Sequence, residues 1–291
     1  MAVAAERPGF GLRRGLVAYL LLVPGIAWLL VFYAWPTIQM FFISLQEGSL
    51  ERGYQLTWHW ATYGDVFSKY STQLIRSVGY GLIVTVACLL ISYPLAYFIA
   101  IYGGRWKNAL LFMVILPFFV SFLIRTLSWK FILADNGLFL GTIKQIGLLP
   151  DDFRLLATPI AVISGLIYNF LPFMALPLYA SLEKLDRSLL EAAQDLYSSR
   201  AVAFLKVTLP LSLPGVFAGS LLTFIPAMGD FINPALLGGP NTTLIANVIQ
   251  RRMLISNDYP EGAAISFILM AAILVGVAVY AKLLGTEELT G

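Results

Sequence analysis

Charge is scarce in this chain: Asp, Glu, Lys and Arg make up 12% of its 291 residues, against about 25% in an ordinary soluble domain. Hydrophobic residues reach 59%, and a soluble fold of this length buries only about 75% of its surface. Water alone therefore cannot be the solvent for this chain. The one cysteine, Cys88, lies in an apolar run, which excludes an intrachain disulfide and a cysteine-cluster metal site. The one histidine, His59, sits in a Trp-rich stretch; metal sites need several converging donors, so a lone surface histidine is expected. A net charge of only +3 leaves no nucleic-acid footprint. No Gly-x-x-x-x-Gly-Lys-Ser/Thr is present, so nothing can cradle ATP phosphates in the P-loop manner. His-Glu-x-x-His, Gly-x-Ser-x-Gly and a magnesium-binding carboxylate cluster are missing too. Neither an enzyme nor a bound cofactor or metal is expected.

What the chain has is length of apolar sequence, with a mean hydropathy of +0.80. About 20 such residues cross the hydrocarbon as a helix. Six stretches qualify, at about 16–35, 78–102, 109–133, 155–180, 211–229 and 262–284. The first follows Arg7, Arg13 and Arg14, but it is too long for a signal peptide and lacks an Ala-x-Ala site; it reads as an uncleaved span. Arg105 and Lys107, then Lys184, Arg187, Arg200 and Lys206, fall on the same side as the N-terminal arginines in a six-span count. That side is the cytoplasm by the positive-inside rule, which places both termini inside. The reading is an all-α, multi-pass integral membrane protein forming a single domain over 1–291.

The connections carry signals of their own. Residues 37–76 read as a first outer loop, with Trp58 and Trp60 at headgroup level. Residues 138–147 and 242–256 read as short outer helices. The cytoplasmic loop 181–210 reads as two short helices. Asp186 or Ser188 caps the first, the latter with Glu191 at capping-box spacing. The second starts near Ser199 and stops at Pro210. Leu189, Leu190, Ala193 and Leu196 share an apolar face, and Ala192 and Ala193 are small enough to admit another surface. Docking into a partner's groove and ordinary interfacial packing fit these residues equally well.

Glu191-Ala192-Ala193, followed by Val207 and then Leu209-Pro210, resembles the EAA loop of ABC-importer permeases. Tyr197 stands where that family usually has glycine, whose backbone freedom tyrosine lacks. Arg125-Thr-Leu-Ser-Trp129, the run from Pro226 through Asp230 to Pro240, and Asn257-Asp258-Tyr259-Pro260 look like the spermidine/putrescine branch. The resemblance implies a type I importer permease in the plasma (inner) membrane of a prokaryote. It implies partners: a cytoplasmic ABC ATPase dimer docking on the loop, a second permease subunit, an extracytoplasmic solute-binding protein, and lipid. It implies polyamine cargo moved by alternating access. Another small solute (iron, thiamine, a phosphonate) and a passive channel are the alternative readings.

Carboxylates and aromatic faces would replace water around ammonium groups, each ring contributing about 0.5–2 kcal/mol. Asp230, ending the fifth run, is the first candidate; its alternatives are a turn cap or a pair with Arg125. Asp258 and Tyr259 are candidates for the outer mouth, and Tyr168, Phe173 and Trp129 for the path. Gly215 and Gly219 form a G-x-x-x-G, expected to pack helices closely.

Overall fold

The structure, a computed structural model, describes residues 11–150, 152–195 and 199–284. Helix α1 (Gly11–Leu29) runs through a π-helical turn (Leu30–Ala34) into α2 (Trp35–Ser44). A hairpin follows, β1 (Gln46–Ser49) antiparallel to β2 (Gly53–Leu56). Next come α3 (Ala61–Tyr97), α4 (Lys107–Ile115), α5 (Phe122–Leu133), α6 (Leu138–Gln145) and α7 (Pro159–Glu183). The rest is α8 (Arg187–Asp195), α9 (Arg200–Ala203), α10 (Leu209–Met228), α11 (Ile232–Leu237), α12 (Ile245–Gln250) and α13 (Tyr259–Leu284).

Among the described residues, five helices are long and apolar enough to cross a membrane, or six if the bent pair Gly104–Phe119 and Phe122–Leu133 is one span. The centre is α3, α7 and α10 packed on one another, around buried Val84, Cys88, Leu166, Met174 and Leu178. Helix α7 runs parallel to α3, as Cys88 Sγ meets Ile167 O and Ser92 Oγ meets Leu171 O. Helix α10 runs antiparallel to α7, with Gly215 against Pro177 and Ser181, and Gly219 against Met174. Apolar side chains cover the outside, among them Leu21, Phe131 and Leu274. Water would penalise that surface; lipid does not.

Several boundaries differ from the sequence expectation. The stretch 37–76 is not a loop: α2 extends to Ser44, and α3 begins at Ala61. Four polar residues there find partners. Thr37 and Ser44 donate to carbonyls of their own helix, while Lys69 reaches Glu261 and Arg76 reaches Thr243 O. Between the helices lies the β-hairpin, an exception to an all-α fold. It needs its glycines, because Gly48 has φ +146° and a Cβ there would fall 2.1 Å from Gly53 O.

Pro210 does not stop a helix. Residues Phe204–Thr208 form a π-helical turn that joins α9 to α10 without interruption. The wider turn accommodates a ring that would clash with an ordinary α-helical carbonyl. The same device stands at Leu30–Ala34, just before Pro36. The third hydrophobic run is broken instead. After Pro117 the chain turns extended at Val120 and Ser121, and the two halves meet at 92°.

Candidate coupling surface and translocation path

Helix α8 forms where Asp186 supplies its cap: Asp186 Oδ1 accepts the Ser188 N–H at 2.9 Å. That bond holds the Asp186 carboxyl below its usual range. Ser199 caps the next helix, accepting from Val202 N at 3.3 Å. Glu191 and Ala192 are exposed and Ala193 is half-buried. Leu209 is half-buried and Pro210 exposed, at the start of α10. Tyr197 lies outside the described residues. This end of the bundle is tied by Lys107 Nζ to Glu183 Oε1 at 2.7 Å, and by Tyr93 OH to Ser212 Oγ at 2.7 Å.

Asp230 is buried and caps α11. Its Oδ1 accepts from Ile232 N at 2.7 Å and from Asn233 N at 3.4 Å, and its Oδ2 takes the Asn233 side-chain amide. The capping alternative is therefore realised, and the pair with Arg125 is not formed. The polar chain continues inward. Asn169 Nδ2 donates to Asn233 Oδ1 and to Thr126 Oγ1, each at 3.2 Å. Thr126, Asn169 and Asn233 are fully buried, on α5, α7 and α11. Sequence reasoning passed over these three uncharged residues. The available signal was Asn169 itself, an amide inside an apolar run that must find a partner there.

Two aromatic pairs join α7 to the segments on either side of the bend. Trp129 lies 5.6 Å from Tyr168, and Phe118 lies 5.0 Å from Phe173, centroid to centroid. Tyr168, Phe173 and Trp129 thus stand in ring pairs between α7 and the broken run, and Asp230 joins α7 through Asn233 and Asn169. Asp258 and Tyr259 do not join them. Asp258 Oδ1 accepts Glu261 N at 3.3 Å, capping α13, and Oδ2 lies 3.8 Å from Arg252 Nη1. Burial, then the neighbouring Glu261, push the Asp258 carboxyl up. The Tyr259 ring packs 5.8 Å from Tyr54 and its hydroxyl donates to Asn257 Oδ1. Both residues brace the end of the bundle that carries the hairpin.

Several apolar helices long enough to cross lipid, a broken span beside a buried polar chain, and a small amphipathic helix exposed between two spans define a polytopic membrane transport protein. Residues 92–284 match the family described as binding-protein-dependent transport system inner membrane component, and the chain belongs to it. It is the permease subunit of an ABC importer of the inner membrane.

The spermidine/putrescine transport system permease protein PotB of Haemophilus influenzae is 39% identical over 254 residues, covering 85% of this chain and 88% of that protein. PotB of Escherichia coli is 42% identical over 211 residues, covering 72% and 77%. The inner membrane ABC transporter permease protein YdcU of Escherichia coli is 32% identical over 227 residues, covering 74% and 72%. The fold is shared with a bacterial ABC transporter involved in the import of the acidic polysaccharide alginate, at TM-score 0.71 and 22% identity over 94% of this chain and 96% of that one. It is also shared with the MetNI methionine ABC transporter in inward-facing form, at TM-score 0.57 and 14% identity over 73% and 93%.

Proposed function

We propose that this permease imports polyamines, spermidine or putrescine, by alternating access driven by a separate ATPase. The observation that carries the reading is the 39% identity over 85% of the chain to a protein named for spermidine/putrescine transport. The Asp230 chain supplies acceptors, and the Trp129–Tyr168 and Phe118–Phe173 pairs supply π-faces, both suited to ammonium groups.

In this reading the bent pair is the third of six spans, and both termini lie in the cytoplasm by the positive-inside rule. Helix α8, with Glu191, Ala192 and Ala193, is the coupling helix that seats in a groove of the ATPase dimer, and Tyr197, Leu209 and Pro210 complete that loop. Closure of the ATPase on nucleotide moves α8 and rocks the permease outward, a two-state element biased by nucleotide at one site and solute at another. A second permease subunit completes the path, and an extracytoplasmic binding protein delivers the solute.

The test is uptake of labelled spermidine and putrescine by cells carrying the complete transporter, with a functional or a hydrolysis-dead ATPase. Saturable uptake that vanishes with the dead ATPase supports the reading. If polyamines neither enter nor compete, the cargo is another solute; if flux persists with the dead ATPase, the chain is a passive channel.

A further inference from the structure

The buried polar chain at the bend ends in an atom that nothing satisfies. Asp230 accepts N–H groups with both of its oxygens. An ionised carboxylate can only accept, so Asn233 must turn its NH2 to Asp230 and its Oδ1 to Asn169. Asn169 must in turn present its NH2 to Asn233, and the same NH2 meets Thr126. What remains is Asn169 Oδ1, a buried acceptor without a donor. Its orientation is not a free choice, because reversing the amide would set two oxygens against each other.

Arg125, next to Thr126 in sequence, is the complementary orphan. It is 7% exposed, and its Nε and Nη1 have no partner. Its Cζ lies 6.0 Å from the Phe118 ring and 5.6 Å from the Phe122 ring. A guanidinium held in an apolar setting without an anion is costly. The donor stands on α5 and the acceptor on α7, two helices in contact, and the bend at Val120 and Ser121 lies one turn before Arg125.

We infer that Asn169 Oδ1 receives an ammonium group of the cargo, and that Arg125 competes for the same acceptor once the cargo has left. The inference rests on the cationic cargo proposed above. Ammonium and guanidinium share the chemistry that matters here: each is positive and donates only. The oxygen has two lone pairs, but an ammonium and a guanidinium drawn to it together would repel each other at close range, so they compete for it. Rotation of α5 about the bend moves the guanidinium relative to α7, so the state open to cargo leaves the acceptor free and the state that releases cargo fills it. Asp230 is then a positioning residue. It fixes the amides through Asn233 and does not touch the cargo.

The experiment is spermidine uptake by the complete importer in proteoliposomes, reading half-saturating concentration and turnover separately, with assembled complex quantified for each variant. Asn169→Leu removes the acceptor and is expected to raise the half-saturating concentration roughly tenfold, the worth of one charged hydrogen bond. Arg125→Gln removes the competitor: the half-saturating concentration falls and turnover falls with it, because release loses its assistance. Arg125→Lys keeps a donating cation and returns both toward the parent values. A purely structural Arg125 would lower turnover with no fall in half-saturation and no rescue by lysine. That pattern, or an unchanged half-saturation in Asn169→Leu, overturns the inference. Should Arg125→Gln fail to assemble, near-parent kinetics in Arg125→Lys together with the rise in Asn169→Leu support it, and any other combination overturns it. A parent protein that takes up no spermidine overturns the cargo reading itself, whereas uptake by the parent with insensitive variants overturns only the inference.

Discussion

A Cβ placed on Gly215 would stand 2.8 Å from the carbonyl oxygen of Pro177 and 2.5 Å from Cβ of Ser181. One turn on, a Cβ on Gly219 would stand 3.0 Å from the carbonyl oxygen of Met174. Both obstacles include backbone, which cannot swing aside. The small pair therefore lets α10 and α7 approach closely, the close packing expected of a G-x-x-x-G. Gly215→Val should cost about 1–3 kcal/mol or more through overpacking and lower the amount of folded protein in the membrane. Gly79 is the control, since nothing lies within 4 Å of a Cβ there. A thermal unfolding midpoint equal for Gly215→Val and Gly79→Ala would refute the tight contact.

Glu191 and Ala192 are exposed on α8. Glu191→Lys and Ala193→Arg are therefore expected to leave the protein in the membrane while abolishing transport, because each puts bulk or opposite charge on the surface assigned to ATPase docking. Co-purification of the ATPase is the direct readout. Normal uptake by either variant, with the ATPase still bound, would remove α8 from the coupling role.

How far the sequence revealed this arrangement depended on whether the causes were local. The run 262–284 matches α13 closely because α13 carries no charge between Glu261 and Lys282, and Thr158-Pro159 carries its own start signal for α7, the threonine accepting from Ala161 N. The early start of α3 was hidden because Lys69 and Arg76 are satisfied by Glu261 and Thr243, far along the chain. Gly48 and Gly53, which make the hairpin possible, were visible but stood in what read as an outer loop. Pro210 misled because a proline reads as a stop when the preceding turn is assumed to be α-helical. At the site, charge drew attention to Asp230; Asn169 was legible as an amide in an apolar run, while Asn233 and Thr126 became visible only once α5, α7 and α11 were seen to meet.

Glu261 is the hub of the end that carries the hairpin. Its Oε1 receives Lys69 Nζ at 2.7 Å and Tyr70 OH at 2.9 Å, and its Oε2 faces Arg252 Nη1 at 3.2 Å. The side chain is only 14% exposed, so screening by water is weaker than for a surface pair. Glu261→Ala should destabilise by about 1–3 kcal/mol, since it strips charged partners of their acceptor. Asp258→Ala should cost less, because Arg252 stays paired with Glu261. Unfolding midpoints of the two variants in detergent check the order, and an equal loss would count against the hub.

Asp230→Asn changes one atom, and neither orientation of the new amide fits. With its NH2 at the Oδ2 position, it faces the Asn233 NH2, donor against donor; reversed, it faces the backbone N–H of Ile232. Either arrangement loses an acceptor inside the protein, at about 1–3 kcal/mol. Asn233 is then free to turn over, and the orientation of Asn169 goes with it. Uptake of a cationic solute should weaken through a raised half-saturating concentration, while the protein still assembles in the membrane. Asp230→Ala removes the acceptors without adding a donor and should weaken uptake in the same direction. Kinetics identical to the parent in both variants would take Asp230 out of the path altogether.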